Sequence, residues 1–362
     1  MRSLCLLPAF GLALVMGCRA DAGFSALILP LEDETSLSQA SRTWVLSGPE
    51  CDAKAEPGAG HVVYRLPNKH VYRMEARAGT KATDVSRSLD RFGPGTDGFI
   101  STSGDGEWML VQTSRFGCGA ESCMVRVNRT MCMVQTIVSN GGLVRPAATA
   151  AIASGGRTIV YPSGDGPHEQ DLFAVTQDAG GWSAPVLLTA DSRFAYNAQP
   201  TISADGLHAL FDCGNESGAG EGTSICEVKT DGKDMTIRVA SKDGPGGKSA
   251  NHHASYSPDG SIVFEGSWYG GAEQVWRAFP GKAPALINDE VVEVNPVVYR
   301  FTDDNSPCVL PDGRILSLWL GRPTENGKEI GHELKSMDPQ GGTARMVLTG
   351  VDVVDTGMSC SL

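Results

Sequence analysis

The sequence predicts an all-β ring, a six-bladed β-propeller of four-stranded antiparallel blades in which a C-terminal strand completes the N-terminal blade. A glycine turn returns at a nearly fixed interval, each turn opens into a strand that is apolar on both faces, and both chain ends carry fragments of the same repeat. The 44 Gly and 20 Pro suit short strands and tight turns better than helices. A fixed period of this size is the mark of a repeat architecture.

The turns come first. Asp105-Gly106, Gly155-Gly156, Asp205-Gly206, Asp259-Gly260 and Asp312-Gly313 place their second glycine at intervals of 50, 50, 54 and 53 residues. Asp-Gly supplies the positive φ that a tight hairpin needs. The strands after the turns read Trp108-Met109-Leu110-Val111, Ile159-Val160-Tyr161, Ala209-Leu210-Phe211, Ile262-Val263-Phe264 and Ile315-Leu316. Unbroken apolarity means burial on both faces, as in a sheet stacked between two others. Repeated sheets of this length form propeller blades.

Two copies carry a recognisable motif. Tyr256-Ser257-Pro258-Asp259-Gly260-Ser261-Ile262-Val263-Phe264, followed by Gly270-Gly271-Ala272-Glu273-Gln274-Val275-Trp276, resembles the repeats of the TolB-like propeller family. Pro200-Thr201-Ile202-Ser203-Ala204-Asp205-Gly206 is a second copy. The resemblance spans residues 97–349 and implies a blade, not an activity. TolB carries a separate α/β domain before its propeller. Here residues 24–96 are needed for the sixth blade, so the resemblance is to the repeat family and not to TolB proper.

The chain ends supply that sixth blade. Asp355-Thr356-Gly357-Met358-Ser359-Cys360-Ser361 resembles Asn197-Ala198-Gln199-Pro200-Thr201-Ile202-Ser203 but stops before its turn. Near the start, Arg42-Thr43-Trp44-Val45-Leu46 reads as a second strand lacking its first, with His61-Val62-Val63-Tyr64-Arg65-Leu66 and Val71-Tyr72-Arg73-Met74 behind it. A terminal strand added to this sheet closes the ring and removes its exposed edges.

Before residue 41 the chain reads as an address. Arg2 and the apolar residues 4–15 form an export signal too short to span a bilayer. Val15-Met16-Gly17-Cys18 fits a lipobox, giving a signal peptide over 1–17, lipidation at Cys18 and an anchor or linker over 18–40. Ala20-Asp21-Ala22 fits ordinary cleavage and free secretion. The lipobox reading predicts a bacterial outer-membrane lipoprotein facing the periplasm or the surface, held by its lipid alone; the other predicts a periplasmic or secreted protein. Net charge is −12, without a basic stripe, which argues against nucleic acid as a partner.

Without Cys5 and Cys18, eight of the ten cysteines remain, and in an exported chain they read as four disulfides. Local geometry suggests Cys118–Cys123 across a loop tip and Cys213–Cys226 across a Gly-rich loop. The shared sixth blade suggests Cys51–Cys360, closing a long loop worth about 4–5 kcal/mol in the chain-entropy model. Cys132 and Cys308 are left to each other.

Counting nine residues back from each turn glycine gives Asp97, Ala147, Asn197, Asn251 and Asp304, with Asp355 matching by similarity. If the first strand of each blade lines the central channel, Asp97, Asn197, Asn251, Asp304 and Asp355 form a binding ring at its mouth. Such a ring would suit a hydrated divalent cation or the basic groups of a partner. Short polar residues that merely cap strand starts are the simpler explanation. His252 and His253 stand beside the ring as candidate metal ligands, faintly resembling the channel site of oligogalacturonate lyases. Neighbouring strand residues face opposite ways, so only one of the two can enter the channel.

No Gly-x-Ser-x-Gly elbow occurs, and Gly244-Pro245-Gly246-Gly247-Lys248-Ser249 lacks both the first glycine and the helix of a phosphate loop. The expected role is therefore a binding or scaffolding module of the bacterial envelope, for an envelope protein or a carbohydrate, with loops 214–222 and 322–331 as contact candidates. The alternative is a metal-dependent polysaccharide lyase or hydrolase working at the Asp/His mouth.

Overall fold

The computed structural model describes residues 41–47, 51, 60–215, 222–244, 247–268, 273–287, 292–294, 297–299, 304–320, 332–339, 345–348, 353 and 358–361. The leader, Cys18, the 18–40 linker, Asp355 and residues 322–331 lie outside them, as does most of the 214–222 loop.

Six antiparallel sheets follow one another as blades. Blade 2 runs outward through Asp97–Thr102, Trp108–Thr113, Cys123–Asn128 and Met133–Thr136. Blade 3 uses Ala151–Ile152, Thr158–Ser163, Asp171–Asp178 and Val186–Leu187. Blade 4 uses Tyr196–Ile202, His208–Gly214, Ser224–Lys229 and Thr236–Val239. Blade 5 comprises Asn251–Tyr256, Ile262–Gly266, Gln274–Ala278 and Ala285–Leu286, and blade 6 Asp304–Val309, Ile315–Leu320, His332–Met337 and Arg345–Leu348. Blade 1 holds His61–Arg65, Val71–Glu75 and Thr83–Asp84, and its innermost strand is Ser359–Cys360 from the far end of the chain. The expected closure is therefore made by main-chain pairing, Val62 opposite Cys360 and Val63 opposite Ser359. His61 N–H adds a 2.8 Å bond to Ser361 Oγ, and Ser361 N–H one of 2.9 Å to His61 O.

The apolar strand after each turn owes its pattern to this stacking. Met109 and Val111 pack into the seam with blade 1, whereas Leu110 between them packs into the seam with blade 3. Ala209 and Phe211 face blade 3, and Leu210 faces blade 5. Ile262 and Phe264 face blade 4, and Val263 faces blade 6. Alternation along the strand thus feeds two cores, so both phases must be apolar. Each such side chain fully buried contributes about 1.5–3 kcal/mol. One apolar cluster fills each of the six seams, including the one that joins blade 6 to blade 1.

Two expectations about the N-terminal region are corrected. Thr43–Val45 is not the second strand of blade 1; it pairs with Met133–Thr136 as a fifth strand on the outer edge of blade 2. That placement brings Cys51 to Cys132, with Cα atoms 5.6 Å apart. Cys360, on the inner strand of blade 1, instead meets Cys308 on the inner strand of blade 6 at 5.7 Å. The expected Cys51–Cys360 and Cys132–Cys308 pairs have exchanged partners, because one short strand belongs to the neighbouring blade. Cys118–Cys123 and Cys213–Cys226 complete four disulfides, as suits a chain folded outside the reducing cytosol.

Polar staples tie blade to blade at the turn end. Loops joining first to second strands and third to fourth strands lie at the same end, since the strands alternate in direction. There Arg73 of blade 1 donates to Gly106 O and Arg129 O of blade 2, and Arg126 of blade 2 to Gly156 O of blade 3. Arg277 of blade 5 reaches Pro339 O of blade 6, and Arg314 of blade 6 reaches Ala76 O of blade 1.

Candidate functional site: the central channel

The inner strands of all six blades line a central cavity of about 260 Å³. Blades 2 and 3 contribute Phe99, Ala148, Ala150, Ala151 and Ile152 with Ser101, Thr102 and Thr149; blades 4, 5 and 6 contribute Tyr196, Gln199, Thr201, His253, Ser255, Tyr256 and Ser306. The Cys308–Cys360 bridge lies in the wall where the ring closes.

A bulge decides which side chains face the cavity. The register slips between Asp97 and Ile100, Ala198 and Thr201, His252 and Ser255, and Asn305 and Cys308. Gln199, His253 and Ser306 adopt left-handed backbone there, with φ of 50°, 52° and 47°. An inserted residue reverses the face presented by everything before it. Count back from the turn with strict alternation and the strand starts point inward; with the bulge, the residues two positions later enter the cavity.

Three of the five expected ring residues, Asp97, Asn197 and Asn251, therefore do not line this wall. Asp97 is buried beneath Arg115, which holds it through Nη2 at 3.1 Å and Nε at 3.3 Å and also binds Asp90 at 2.8 Å. Asn197 is fully buried, donates to Gln170 O and Phe194 O, and accepts from Ser192 Oγ. Asn251 is equally buried in blade 5, but neither atom of its amide finds a hydrogen-bond partner. These residues clamp strand starts to the preceding blade, as the backbone bonds from Asn197 to Gln170 and from Asn251 to Thr223 show. Asp304 begins the inner strand of blade 6, opposite Trp319, and its side chain lies outside the description, as does Asp355.

The two histidines part as the alternation requires. His253 lines the cavity and bonds Glu265 Oε2 through Nδ1 at 3.0 Å. His252 turns toward blade 4 and bonds Asp212 Oδ2 through Nδ1 at 3.0 Å. A carboxylate only accepts, so each Nδ1 carries the proton and each Nε2 points away from its carboxylate. Glu265 Oε2 also accepts from Ser306 N–H at 2.9 Å, linking blade 5 to blade 6. The imidazole centroids are 6.3 Å apart. Each histidine thus bonds a carboxylate of its own, and among the described residues no group of three or more His, Cys, Asp or Glu is placed to hold a metal ion.

Burial and neighbouring charges pull the members of this cluster in different directions. Burial raises the Asp212 carboxyl above its usual range, and the bond and charge of His252 only partly offset it. Burial opposes charge on His252 too, but Asp212, with Glu265 beyond, outweighs it and raises the imidazole above 6.5. For Glu265 burial is again the largest influence; the charges of His253 and His252 and the Ser306 N–H overcome it and hold the carboxyl below 4.5. Tyr256 closes this side, donating its hydroxyl to Glu227 Oε1 at 3.0 Å while Arg238 holds Glu227 Oε2 at 2.6 Å.

Asp212 and Glu265 were not among the expected site residues, yet the sequence carries their signal. Each is a carboxylate ending an apolar run, in Ala209-Leu210-Phe211-Asp212 and Ile262-Val263-Phe264-Glu265. A charge at the same register of two neighbouring buried strands needs partners, and the adjacent His-His pair provides them.

No protein-family model matches the sequence, and no curated protein does. Solved structures do. TolB from Acinetobacter baumannii superposes with a TM-score of 0.57 at 11% identity, over 84% of this chain and 66% of that one. Hydrazine synthase from Kuenenia stuttgartiensis gives 0.55 at 14% identity, over 84% of this chain and 47% of that one. A puromycin-hydrolyzing peptidase from Mycobacterium tuberculosis gives 0.50 at 10% identity, over 86% and 44%. The chain spans about two thirds of the TolB and under half of the other two. At such identities the likeness is one of fold: this chain is a six-bladed β-propeller, similar in fold to the TolB structure.

Proposed function

We propose that this protein is an exported binding module that receives its ligand in the central channel and is held at the bacterial envelope by a lipid on Cys18. The supporting observation is the channel itself: a cavity of about 260 Å³ walled by all six blades, apolar on one side and polar on the other. A concave, pre-formed site with a few fixed polar groups is how proteins hold small groups. Four disulfides support export, and the Val15-Met16-Gly17-Cys18 pattern supports the anchor. The described wall carries no Asp, Glu, Lys or Arg, which suits a neutral amphipathic group of an envelope protein or a carbohydrate.

Filling the channel tests the reading. Thr149→Trp is expected to keep the wild-type melting temperature and lose the partner that co-purifies from envelope fractions; unchanged co-purification contradicts channel binding. In parallel, Cys18→Ala is expected to abolish palmitate incorporation and release the protein from membranes.

One observation favours a second reading, a polysaccharide lyase or hydrolase. His253 lines the cavity with its Nδ1 bonded to Glu265, an arrangement that would serve a general base. Turnover of an acidic polysaccharide that His253→Ala abolishes would establish it.

A further inference from the structure

We propose that the turn end of the seam between blades 1 and 2 is a binding site for a phosphate-type oxyanion, separate from the channel. An open cleft of about 440 Å³ there is lined by Arg73, Arg77, Lys81 and Arg129, with His61 and Glu75 at its sides. Four permanent cations gather in a chain whose net charge is −12. Glu75 pairs with Arg77 at 3.1 Å and Glu107 with Arg129 at 3.4 Å. Among the described residues, no carboxylate lies within ion-pair distance of Arg73 or Lys81.

Arg73 supplies the second, independent observation. It is only 7% exposed and spends its two terminal nitrogens on the carbonyls of Gly106 and Arg129, so a buried cation without a carboxylate stands at the cleft wall; its Nε lacks a hydrogen-bond partner, as does that of Arg126. The next seam shows what usually covers such a group. Arg126 makes the same staple to Gly156 O, but Trp108 and Trp182 lie over its guanidinium, 4.4 and 5.1 Å from their ring centroids. Aromatic faces compensate that buried cation. Among the described residues no ring lies over Arg73; it borders an open cleft that collects three more cations. Burial, with the charge of Arg129 nearby, pushes Arg73 down to about 10, so an anion in the cleft would relieve an existing electrostatic cost.

Guanidinium forks match phosphate oxygens in pairs, and the Lys81 ammonium adds a point charge. Because the cleft is open, binding should weaken as salt rises. The oxyanion could be a free phosphate compound or the phosphate of a lipid headgroup, and the test separates these sources.

Inorganic pyrophosphate is titrated into the full-length protein by calorimetry, for wild type and for the double variant Arg77→Glu, Lys81→Glu. Both side chains are at the surface, so the fold is expected to survive, as the melting temperature will report. Saturable binding by the wild type, weakened about tenfold or more in the double variant, is the expected result, equivalent to about 1.4 kcal/mol or more. In a second arm the Cys18→Ala protein is floated with phosphatidylglycerol or phosphatidylcholine vesicles. Capture by phosphatidylglycerol vesicles alone, reversed by pyrophosphate, identifies a headgroup; pyrophosphate binding without flotation identifies a soluble phosphate. No saturable pyrophosphate binding, or equal affinity in the double variant, overturns the proposal whatever the vesicles do.

Discussion

The two sides of the channel are made by the same repeat and differ in what the bulge delivers. In blades 4, 5 and 6 the residue two positions into the inner strand is Gln199, His253 or Ser306, each polar and left-handed. In blade 2 the equivalent residue is Phe99, and blade 3 presents Ala148, Ala150 and Ile152. Behind the polar side stand buried carboxylates, Asp212 in blade 4 and Glu265 in blade 5; at the same register blade 2 has Gln112 and blade 3 has Pro162. One backbone plan thus yields a wall that makes hydrogen bonds and a wall that only packs. The chemistry follows the side chains that support the bulge, not the bulge itself.

Removing Glu265 should break this contrast with the largest effect. Glu265→Ala strips the partner of His253 and of the Ser306 N–H in a buried site, a loss of about 3–5 kcal/mol in urea unfolding. Gln112→Ala, at the matching place on the packed side, gives up one bond to Pro146 O and should cost about 1 kcal/mol. Equal losses would mean that the two sides are supported alike.

Next comes the closure in the wall. The Cys308–Cys360 bridge spans 52 residues and joins blade 6 to blade 1. Replacing both cysteines by serine should cost about 2–4 kcal/mol, read as a lower melting temperature. The ring should still form, because Val62 and Val63 keep the terminal strand.

Asn197 and Asn251 sharpen the comparison within the polar side. Asn197→Ala abandons three hydrogen bonds in a fully buried site and should cost about 1–3 kcal/mol. Asn251→Ala removes an amide with no partner, so its cost should stay below about 1 kcal/mol. The reverse order would show that Asn251 is satisfied in solution.

The smallest effect is the pH dependence. His252 has a raised pKa in the fold, so its contribution is fully present below about 6.5, the usual imidazole value, and is lost as pH rises through the higher folded value. Glu265 is depressed, so its contribution holds above the usual 4.5 and is lost as pH falls through its lower folded value. Melting temperatures should therefore decline on the alkaline side above about pH 6.5, and His252→Gln should flatten that limb while leaving the acid limb in place.

Much of this architecture is legible in the sequence. The glycine period marks blades 2 to 6, and the double apolarity of Met109-Leu110-Val111 follows from feeding two seams. The terminal strand is visible as a truncated repeat. The burial of Asp97, Asn197 and Asn251 away from the cavity is not legible, because no glycine or asparagine announces a left-handed residue at Gln199, His253 or Ser306. The place of Thr43–Val45 on blade 2 is not legible because three residues carry too little pattern to choose a neighbour, and the Cys51–Cys132 pairing depends on that place. The arginine staples, Arg73, Arg126 and Arg277, sit at matching third-strand positions opposite Val63, Leu110 and Val263. Charges at that register in buried strands are a signal that a repeat alignment of the third strands would expose.

The central claim is that the ligand enters the channel, and site-specific photocrosslinking in cells addresses it most directly. A photoreactive residue at Thr149, on the cavity wall, is compared with one at Thr236, on the outer strand of blade 4. The account predicts a discrete adduct from position 149 that is absent from position 236 and disappears in a His253→Ala background. Adducts from position 236 alone would contradict it and place recognition on the outer rim of the blades.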